Sequence, residues 1–546
     1  MHIRRLLTVL LLTIPALQAQ TTYPPPQLLS KIRPDAIRAQ MAFLSSDLLE
    51  GRYTGSRGYM IAAQYIASQF TEMGLKPAGD NGTYFQNIRF RKIELDREHT
   101  SFTMNVNGHE QALRFAEDYI APGNPISGDS SVEAPVVFVG YGVTAPEFGY
   151  DDYAGVDAKG KIVAVLVGAP ASFPNAPRAH NSSSAVKAAN AAAHGAVGVI
   201  AIWAGSIADR VPFSHYITYY RGSSLRWLDA QGQPNDAQPQ LRDSAAVSPE
   251  AGARMFEGSP RSFAQALADA QAGKSRGFPL AATASIRIVS HHSELVSPNI
   301  AAILPGSDPQ LKNEYVVFSA HADHMGIGRP VKGDNIYNGA IDNASGTAAV
   351  LEVARALSSM PKAPRRSTLF LAVTGEEEGL LGSDAFAHNP TVPIQQIVAD
   401  VNMDEIGVFY DYRDIVALGA DHSSIGKIVD DVAHRMGLEV TPDPAPEESY
   451  FVRSDQYSLI KQGVPALAID IGYKTVDPKL DGKKICDDWE KNYYHSPQDD
   501  MQQPYLDFNA AAKSVRLNLA IGYEIAQQTE RPHWNKGDFF EKFAKH

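Results

Sequence analysis

The chain has 546 residues, a formal net charge of −12 and an ordinary globular composition, with 44% hydrophobic and 20% charged residues. Domains usually hold about 100–200 residues, so this length predicts two domains or one domain with an insertion. The acidic balance argues against nucleic acid and anionic membranes as partners. The single cysteine, Cys486, excludes an internal disulfide framework.

The first nineteen residues have the pattern of a secretory signal peptide. Arg4 and Arg5 precede an apolar stretch from Leu6 to Leu17, and the small residue Ala19 stands at the expected cleavage point. The apolar stretch is shorter than the ~20 residues that span a bilayer, and no second such stretch follows. We therefore expect a secreted or periplasmic protein that keeps no membrane anchor after residues 1–19 are removed.

Two segments with different secondary-structure patterns follow the predicted signal peptide. Residues 20–124 form the N-terminal part of the main domain and contain a predicted helix from Met60 to Met73. Residues 125–285 are predicted to be a β-rich inserted domain, because short apolar runs alternate there with Gly, Pro, Ser and Asn. These runs, which we predict to be strands, are residues 136–139, 162–167 and 197–202.

Residues 286–546 alternate between short β-branched runs and helical stretches, which predicts an α/β domain with a mixed, mostly parallel sheet and helices on both faces. The predicted strands are residues 316–318, 368–373, 397–402 and 466–471. The predicted helices are residues 344–357, 425–436 and 510–527. In open sheets of this kind a ligand binds beyond the carboxyl ends of the strands.

Polar clusters stand at these strand ends. His321 directly follows the first predicted strand, and neutral imidazole is a good zinc ligand. Asp323, two residues later, suits a carboxylate that holds the second imidazole nitrogen. His324 is close by, but the spacing HxxH alone is weak evidence for a ligand. Asp342 precedes a predicted helix, where capping of that helix is the competing explanation.

Three further clusters follow along the chain. Glu376, Glu377 and Glu378 come directly after a strand and lie between glycines. Adjacent carboxylates repel one another unless they are solvated or neutralised, so their position favours a bound cation. Asp404 closes an apolar strand, and His495 has a carboxylate four residues later that we expect to be its hydrogen-bond partner.

Three carboxylates and two histidines suit a pair of zinc ions that share one bridging carboxylate. Water shared by two cations is acidified toward neutral pH, and it becomes a hydroxide nucleophile when a nearby carboxylate takes its proton. The adjacent glutamates offer this division of roles: one binds metal and the other does the acid–base work.

These five ordered motifs resemble the M28 family of zinc metallopeptidases, the bacterial aminopeptidase-like group with a phosphorylase/hydrolase-like fold. The resemblance covers most of residues 290–546 and is weaker around residues 47–86. It implies two Zn²⁺ per chain and a cis peptide bond after the bridging acid. The roles that it implies are one zinc on His321 and Asp404, the other on Glu377 and His495, Asp342 as the bridge, Glu376 as general base, and Asp323 orienting His321.

The insert resembles a protease-associated (PA) domain, whose usual role is that of a lid or recognition module. The residues that carry this resemblance are Val139 to Gly142, Gly160 to Val163, Lys187, and Ala193 to Ile200.

The sequence thus predicts an exopeptidase acting on peptides, an aminopeptidase in the first place. A metallocarboxypeptidase stays open, because Arg453 in a segment that resembles a pocket-lining element of the family suits a substrate carboxylate. A glutaminyl-cyclase-like transferase with one zinc and a non-catalytic binding protein stay open as well. Glu378 and Glu405 add negative charge beside the predicted ligands, where they either attract a substrate amine or are solvated.

Overall fold

The computed structural model describes residues 23–544. The predicted signal peptide, residues 1–19, lies outside this range. Within the range, none of the helices combines the length and the apolar character needed to cross a bilayer.

Two sheets share one long strand, Phe278–Leu304. In the first sheet four neighbouring strands run parallel, in the spatial order Ser367–Val373, Tyr315–His321, Ile397–Asn402 and Ala466–Ile471. The remaining strands of this sheet lie outside these four: residues 290–304 of the long strand, Phe85–Leu95, Ser223–Trp227, Lys76–Pro77, Asp414–Leu418 and Glu439–Val440. The prediction of a mixed, mostly parallel sheet is confirmed.

Helices cover both faces of this first sheet. Successive residues of a strand point to opposite faces, and Phe318 and Phe370 belong to one buried core while Val317 and Leu369 belong to another. The helices around the first sheet are Pro26–Leu29, Pro34–Leu44, Arg57–Glu72, Gly346–Ser358, Leu381–His388, Ile425–Arg435, Gln456–Ile460, Gly482–Asn492 and Phe508–Gln527.

The second sheet has its own core, which runs from Leu95 to Ile288. Its strands are residues 278–289 of the long strand, Ser101–Val106, His109–Ala112, Tyr119–Ile120, Asp129–Phe138, Ile162–Leu166, Gly198–Ile202 and Asp243–Val247. This sheet therefore uses chain from both before and within the predicted insert, residues 125–285. The domain boundaries and the protease-associated assignment stay predictions.

The insert contains short helices as well as strands. They are Asn175–Ser182, Ser184–Ala193, Ser206–Arg210, Phe213–Tyr219, Pro249–Arg254 and Phe263–Gln271. Two small two-stranded sheets complete the described structure: Thr144–Ala145 with Tyr150–Asp151, and Gly326–Val331 with Asp334–Tyr337.

The segment before the helix Gly346–Ser358 departs from the predicted helix start at residue 344. Residues 340–345 form an irregular turn, and the peptide bond between Asp342 and Asn343 is cis, as the family resemblance implies. A Cβ atom on Gly346 would lie 2.0 Å from the carbonyl oxygen of Met403, so only glycine permits this close approach. The approach brings the loop of Asp342 beside Asp404.

Residues 534–544, which we call the clasp segment, join the insert to the first domain. Phe540 is buried with Phe451 and Tyr457 of the first domain. The ring of Phe539 stacks on Phe148 of the insert at 5.8 Å, and Lys542 Nζ lies 2.9 Å from Glu147 Oε1. The clasp segment thus fixes the position of the insert on the face that carries Tyr457.

Candidate metal centre

The predicted site residues meet beyond the carboxyl ends of the parallel strands. His321 is the last residue of its strand, Glu376 and Glu377 follow Ser367–Val373, and Asp404 follows Ile397–Asn402. Because these strands are parallel neighbours, their carboxyl ends lie at the same edge of the sheet. The loops that carry Asp342 and His495 close over this edge.

Two groups of side chains form around Asp342. His321 Nε2 lies 3.2 Å from Asp342 Oδ1 and 3.1 Å from Asp404 Oδ1. His495 Nε2 lies 3.2 Å from Asp342 Oδ2 and 3.2 Å from Glu377 Oε2. Asp342 therefore has one carboxylate oxygen in each group. All five predicted ligands are brought together, and their role as ligands stays a prediction.

The electrostatics of Asp342 fit this arrangement. Burial opposes ionisation of its carboxyl, yet the imidazoles of His324, His321 and His495 hold its pKa well below the usual range. Buried carboxylates need a compensating positive charge, which protonated imidazoles or a bound cation can supply. Carboxylate oxygen and imidazole nitrogen are ligands that suit zinc.

His324 is a member of the site to which the sequence pattern assigns no role. Its side chain is fully buried, and Nδ1 lies 2.6 Å from Glu377 Oε1. Neither ring nitrogen of His324, nor Glu377 Oε1, makes a hydrogen bond of acceptable geometry within residues 23–544. Buried polar atoms without partners are costly, and a cation between them would satisfy both residues. Three side chains here, His324, Asp342 and Glu377, have potential ligand atoms within 4.8 Å of one another.

Glu376 lies at the border of the first group. Its Oε2 is 3.8 Å from His321 Nε2, and it is not among the side chains that surround Asp342. Burial raises the pKa of Glu376 well above its usual range; His321 opposes this shift and Asp404 adds to it. A carboxylate so placed suits a group that takes up and returns a proton.

Asp323 contacts His321 mainly through its backbone. The carbonyl oxygen of Asp323 lies 3.1 Å from His321 Nδ1, whereas its carboxylate oxygen Oδ1 is 3.9 Å from that nitrogen. The carboxylate accepts hydrogen bonds from Thr54 Oγ1 and from the backbone N–H of Glu376. Asp323 thus joins the loop of His321 to the loop of Glu376.

The expectation that Asp499 pairs with His495 is wrong. The Asp499 carboxylate accepts hydrogen bonds from the backbone N–H groups of Ile341, at 2.9 Å, and Asp342, at 3.0 Å. The turn at residues 496–499 directs this side chain under the Asp342 loop, which the spacing of the two residues does not reveal. Asp499 therefore supports Asp342.

Arg52 is a second residue that the sequence does not indicate. Its fully buried guanidinium donates to the carbonyl oxygens of Ala322 and Gly339, and also to those of Leu44 and Asn338. These bonds tie the loop that follows His321 to the loop that precedes Asp342. Arg52 also brings a positive charge close to the buried acids Asp323 and Asp342.

Ser454 holds the Asp404 carboxylate, and its removal is expected to weaken zinc binding. Ser454 Oγ donates to Asp404 Oδ2 at 2.6 Å and itself accepts from Asn402 Nδ2. Hydrogen bonds to a ligand typically change metal affinity by about 10–100-fold, so we expect Ser454→Ala to raise the zinc dissociation constant about tenfold. Competition with a chromogenic chelator measures this constant. The exposed Ser68→Ala is the control, and an unchanged constant in Ser454→Ala would contradict the assignment.

Comparison with known sequences locates a family domain in this half of the chain. Residues 299–520 match Peptidase family M28. The chain is 28% identical over 252 residues to a probable leucine aminopeptidase of Arthroderma benhamiae, a match that covers 45% of this chain and 62% of that protein. It is 35% identical over 130 residues to the aminopeptidase NAALADL1 of Mus musculus, which covers 22% of this chain and 15% of that one.

A solved structure is similar over almost the whole chain. The aminopeptidase from Aneurinibacillus sp. strain AM-1 matches with a TM-score of 0.52 and 19% identity, and the match covers 93% of this chain and 96% of that one. The likeness concerns the fold. The chain spans about six-tenths of the length of the fungal leucine aminopeptidase that it matches.

Proposed function

Because residues 299–520 match Peptidase family M28, we propose that this protein is a di-zinc aminopeptidase that hydrolyses the N-terminal bond of peptides. The observation that carries the proposal is the position of Asp342, which has one oxygen beside His321 and the other beside His495. Glu376 lies next to these groups without being part of the set around Asp342.

Each zinc ion would have its own histidine and carboxylate. His321 and Asp404 would hold one, Glu377 and His495 the other, and Asp342 would contribute to both. Glu377 Oε1 supports this fit, because it lies 2.6 Å from His324 Nδ1 without a hydrogen bond of acceptable geometry. Zinc held here would polarise the scissile carbonyl and make a nearby water more acidic.

The proton transfers fall to Glu376. Its carboxylate accepts a proton from the attacking water and returns it to the nitrogen of the departing amine. Asp323 positions this carboxylate, because its side chain accepts from the backbone N–H of Glu376 while its carbonyl oxygen contacts His321 Nδ1. The base and the metal ligand are thus held by one residue.

The acidic surroundings favour a free amino terminus. Glu405 follows Asp404 directly, and burial together with the fields of Asp342, Asp404 and Asp470 raises the pKa of its carboxyl well above the usual range. A substrate ammonium group is attracted to this negative potential. The name of the fungal relative, probable leucine aminopeptidase, agrees with this choice. Export through residues 1–19 and a lid role for the insert belong to the same proposal.

A carboxypeptidase is the second candidate, because the exposed Arg453 lies beside the loops of Asp404 and His495. A guanidinium suits the carboxylate at the end of a peptide. The experiment described below also tests the glutaminyl-cyclase-like transferase and the non-catalytic binding protein.

The test combines metal content with a peptide panel. Purified protein is analysed for zinc and assayed on peptides with free or acetylated amino termini, with and without a chelator. We expect two zinc ions per chain, cleavage of free amino termini only, and complete loss of activity on chelation that added zinc reverses. Stepwise release from the carboxyl end of acetylated peptides would identify a carboxypeptidase. One zinc ion per chain without peptide hydrolysis would favour the glutaminyl-cyclase-like transferase. No turnover of any substrate would favour the non-catalytic binding protein.

A further inference from the structure

Glu405 lies within electrostatic reach of Tyr450, Arg453 and Tyr494 beside the candidate metal centre, and we call these four residues the charged pocket. Two of these residues are chain neighbours of predicted ligands: Glu405 follows Asp404, and Tyr494 precedes His495. The pocket therefore lies against both groups of the metal centre.

Arg453 is held between the two ligand loops. Its neighbour Ser454 donates to Asp404 Oδ2, and Arg453 Nη2 donates to the hydroxyl of Tyr494 at 3.3 Å. The ring of Tyr494 stacks on the ring of His495 with centroids 3.9 Å apart. The guanidinium carbon also lies 5.2 Å from the centroid of Tyr450. The hydroxyl of Tyr494 and the ring of Tyr450 thus hold the guanidinium.

Most donors of this guanidinium are available to a ligand. An arginine has five N–H donors, and among the side chains that the structure describes, that of Arg453 hydrogen-bonds only to Tyr494. Within the same residues no carboxylate oxygen lies within 4.0 Å of it, although the side chain is exposed. A fixed guanidinium fork with free donors binds a carboxylate through two parallel hydrogen bonds.

Glu405 contributes a carboxyl group to the same pocket. It has a φ of +47°, a conformation that is uncommon for residues other than glycine, and its N–H donates to Asn343 Oδ1 at 3.3 Å. In the described part of the chain, no basic nitrogen lies within 4.0 Å of its carboxylate. Glu405 is thus held beside Asp404 with no cation in direct contact, although the field of the Arg453 guanidinium reaches it.

We propose that Glu405 binds the free α-amino group of the substrate and that Arg453 binds the side-chain carboxylate of an N-terminal Glu or Asp. This inference rests on the proposed aminopeptidase activity. The enzyme then selects peptides that begin with an acidic residue. An N-terminal acidic residue carries both an ammonium and a carboxylate and satisfies both groups of the pocket. A C-terminal residue offers its carboxylate to Arg453 but has no α-ammonium for Glu405.

The test compares side chains of equal shape and different charge. The zinc-loaded protein and its variants are assayed on the 4-nitroanilides of Glu, Gln and Leu. We expect the wild type to prefer Glu over Gln about 50-fold in kcat/KM, the scale of a charge-assisted contact. Arg453→Met should reduce this preference to about twofold or less, and Arg453→Lys should retain part of it.

Two further variants separate the roles. Glu405→Gln should raise KM for all three substrates about tenfold while the preference for Glu over Gln remains, because the α-amino group is common to them. Arg435→Met is the matched control, since Arg435 lies over the ring of Tyr23 at 5.2 Å and ends a helix outside the pocket. It should keep the wild-type preference. Zinc content and thermal midpoint verify that each variant is folded.

The failures are distinguishable. Equal wild-type activity on Glu and Gln substrates, or an unchanged preference in Arg453→Met, overturns this inference and leaves the aminopeptidase standing. Cleavage restricted to acetylated peptides with a free carboxyl end, lost in Arg453→Met, means that Arg453 binds the terminal carboxylate. That outcome overturns both the inference and the proposed function.

Discussion

Glu376→Gln is expected to keep its zinc and to lose about a thousandfold in kcat. Glutamine preserves the shape of the side chain but does not accept a proton at neutral pH, and general acid–base catalysis is typically worth about 10²–10⁴-fold in rate. Glu376 Oε2 is 3.8 Å from His321 Nε2, so its replacement leaves the residues around Asp342 in place. The measurement is kcat on a free-amine dipeptide together with the zinc content of the same sample.

Glu378→Gln is the matched control for this result. Glu378 belongs to the same run of acids, but its nearest basic partner is Arg221, at 3.9 Å, and it has no ion pair with His321 or His495 within the described residues. We expect its kcat to stay within about threefold of the wild type, as for substitutions away from the reacting groups. A Glu376→Gln variant with near wild-type kcat would remove Glu376 from the role of general base.

Asp342→Asn is expected to abolish stoichiometric zinc binding and to reduce kcat/KM by at least about a thousandfold. The two carboxylate oxygens of Asp342 each lie 3.2 Å from a different histidine. An amide is a much weaker zinc ligand than a carboxylate, so one substitution weakens both predicted sites. Zinc content after gel filtration measures the loss without reference to activity.

The stability of the protein gives a second readout for Asp342. A ligand that binds only the folded state raises the unfolding midpoint, so added zinc should stabilise the wild type and have little effect on Asp342→Asn. The control is Asp308→Asn, whose side chain pairs with Arg365 outside the site. A variant at position 342 that retains two zinc ions would show that Asp342 is not the bridge.

Much of the first sheet is predictable because its central strands are mostly apolar runs with polar or proline borders. The strands Ile397–Asn402 and Ala466–Ile471 begin and end where the sequence predicts. Three of the predicted ligands, His321, Glu377 and Asp404, stand at or just after such a run, whereas Asp342 precedes a helix and His495 lies in a turn. Local sequence therefore carries both the elements and the candidate ligands.

The remaining parts of the site depend on contacts between distant segments. Arg52 donates a hydrogen bond to the carbonyl oxygen of Gly339, and Asp499 accepts one from the backbone N–H of Asp342. No local sequence pattern indicates either contact. The spacing of His324 from His321 is common in proteins and does not distinguish a member of the site. The strand Phe278–Leu304 serves both sheets and so crosses the predicted boundary at residue 285.

The clasp segment also has a consequence for the order of events during biosynthesis. It follows both the insert and the candidate metal ligands in the chain, so all of these leave the ribosome before it does. Domains generally fold as units while synthesis proceeds. The insert can thus complete its own core, around Phe138 and Ile200, before residues 534–544 exist. Its attachment through Phe539 and Lys542 is a late step, which comes after the predicted zinc ligands have been synthesised.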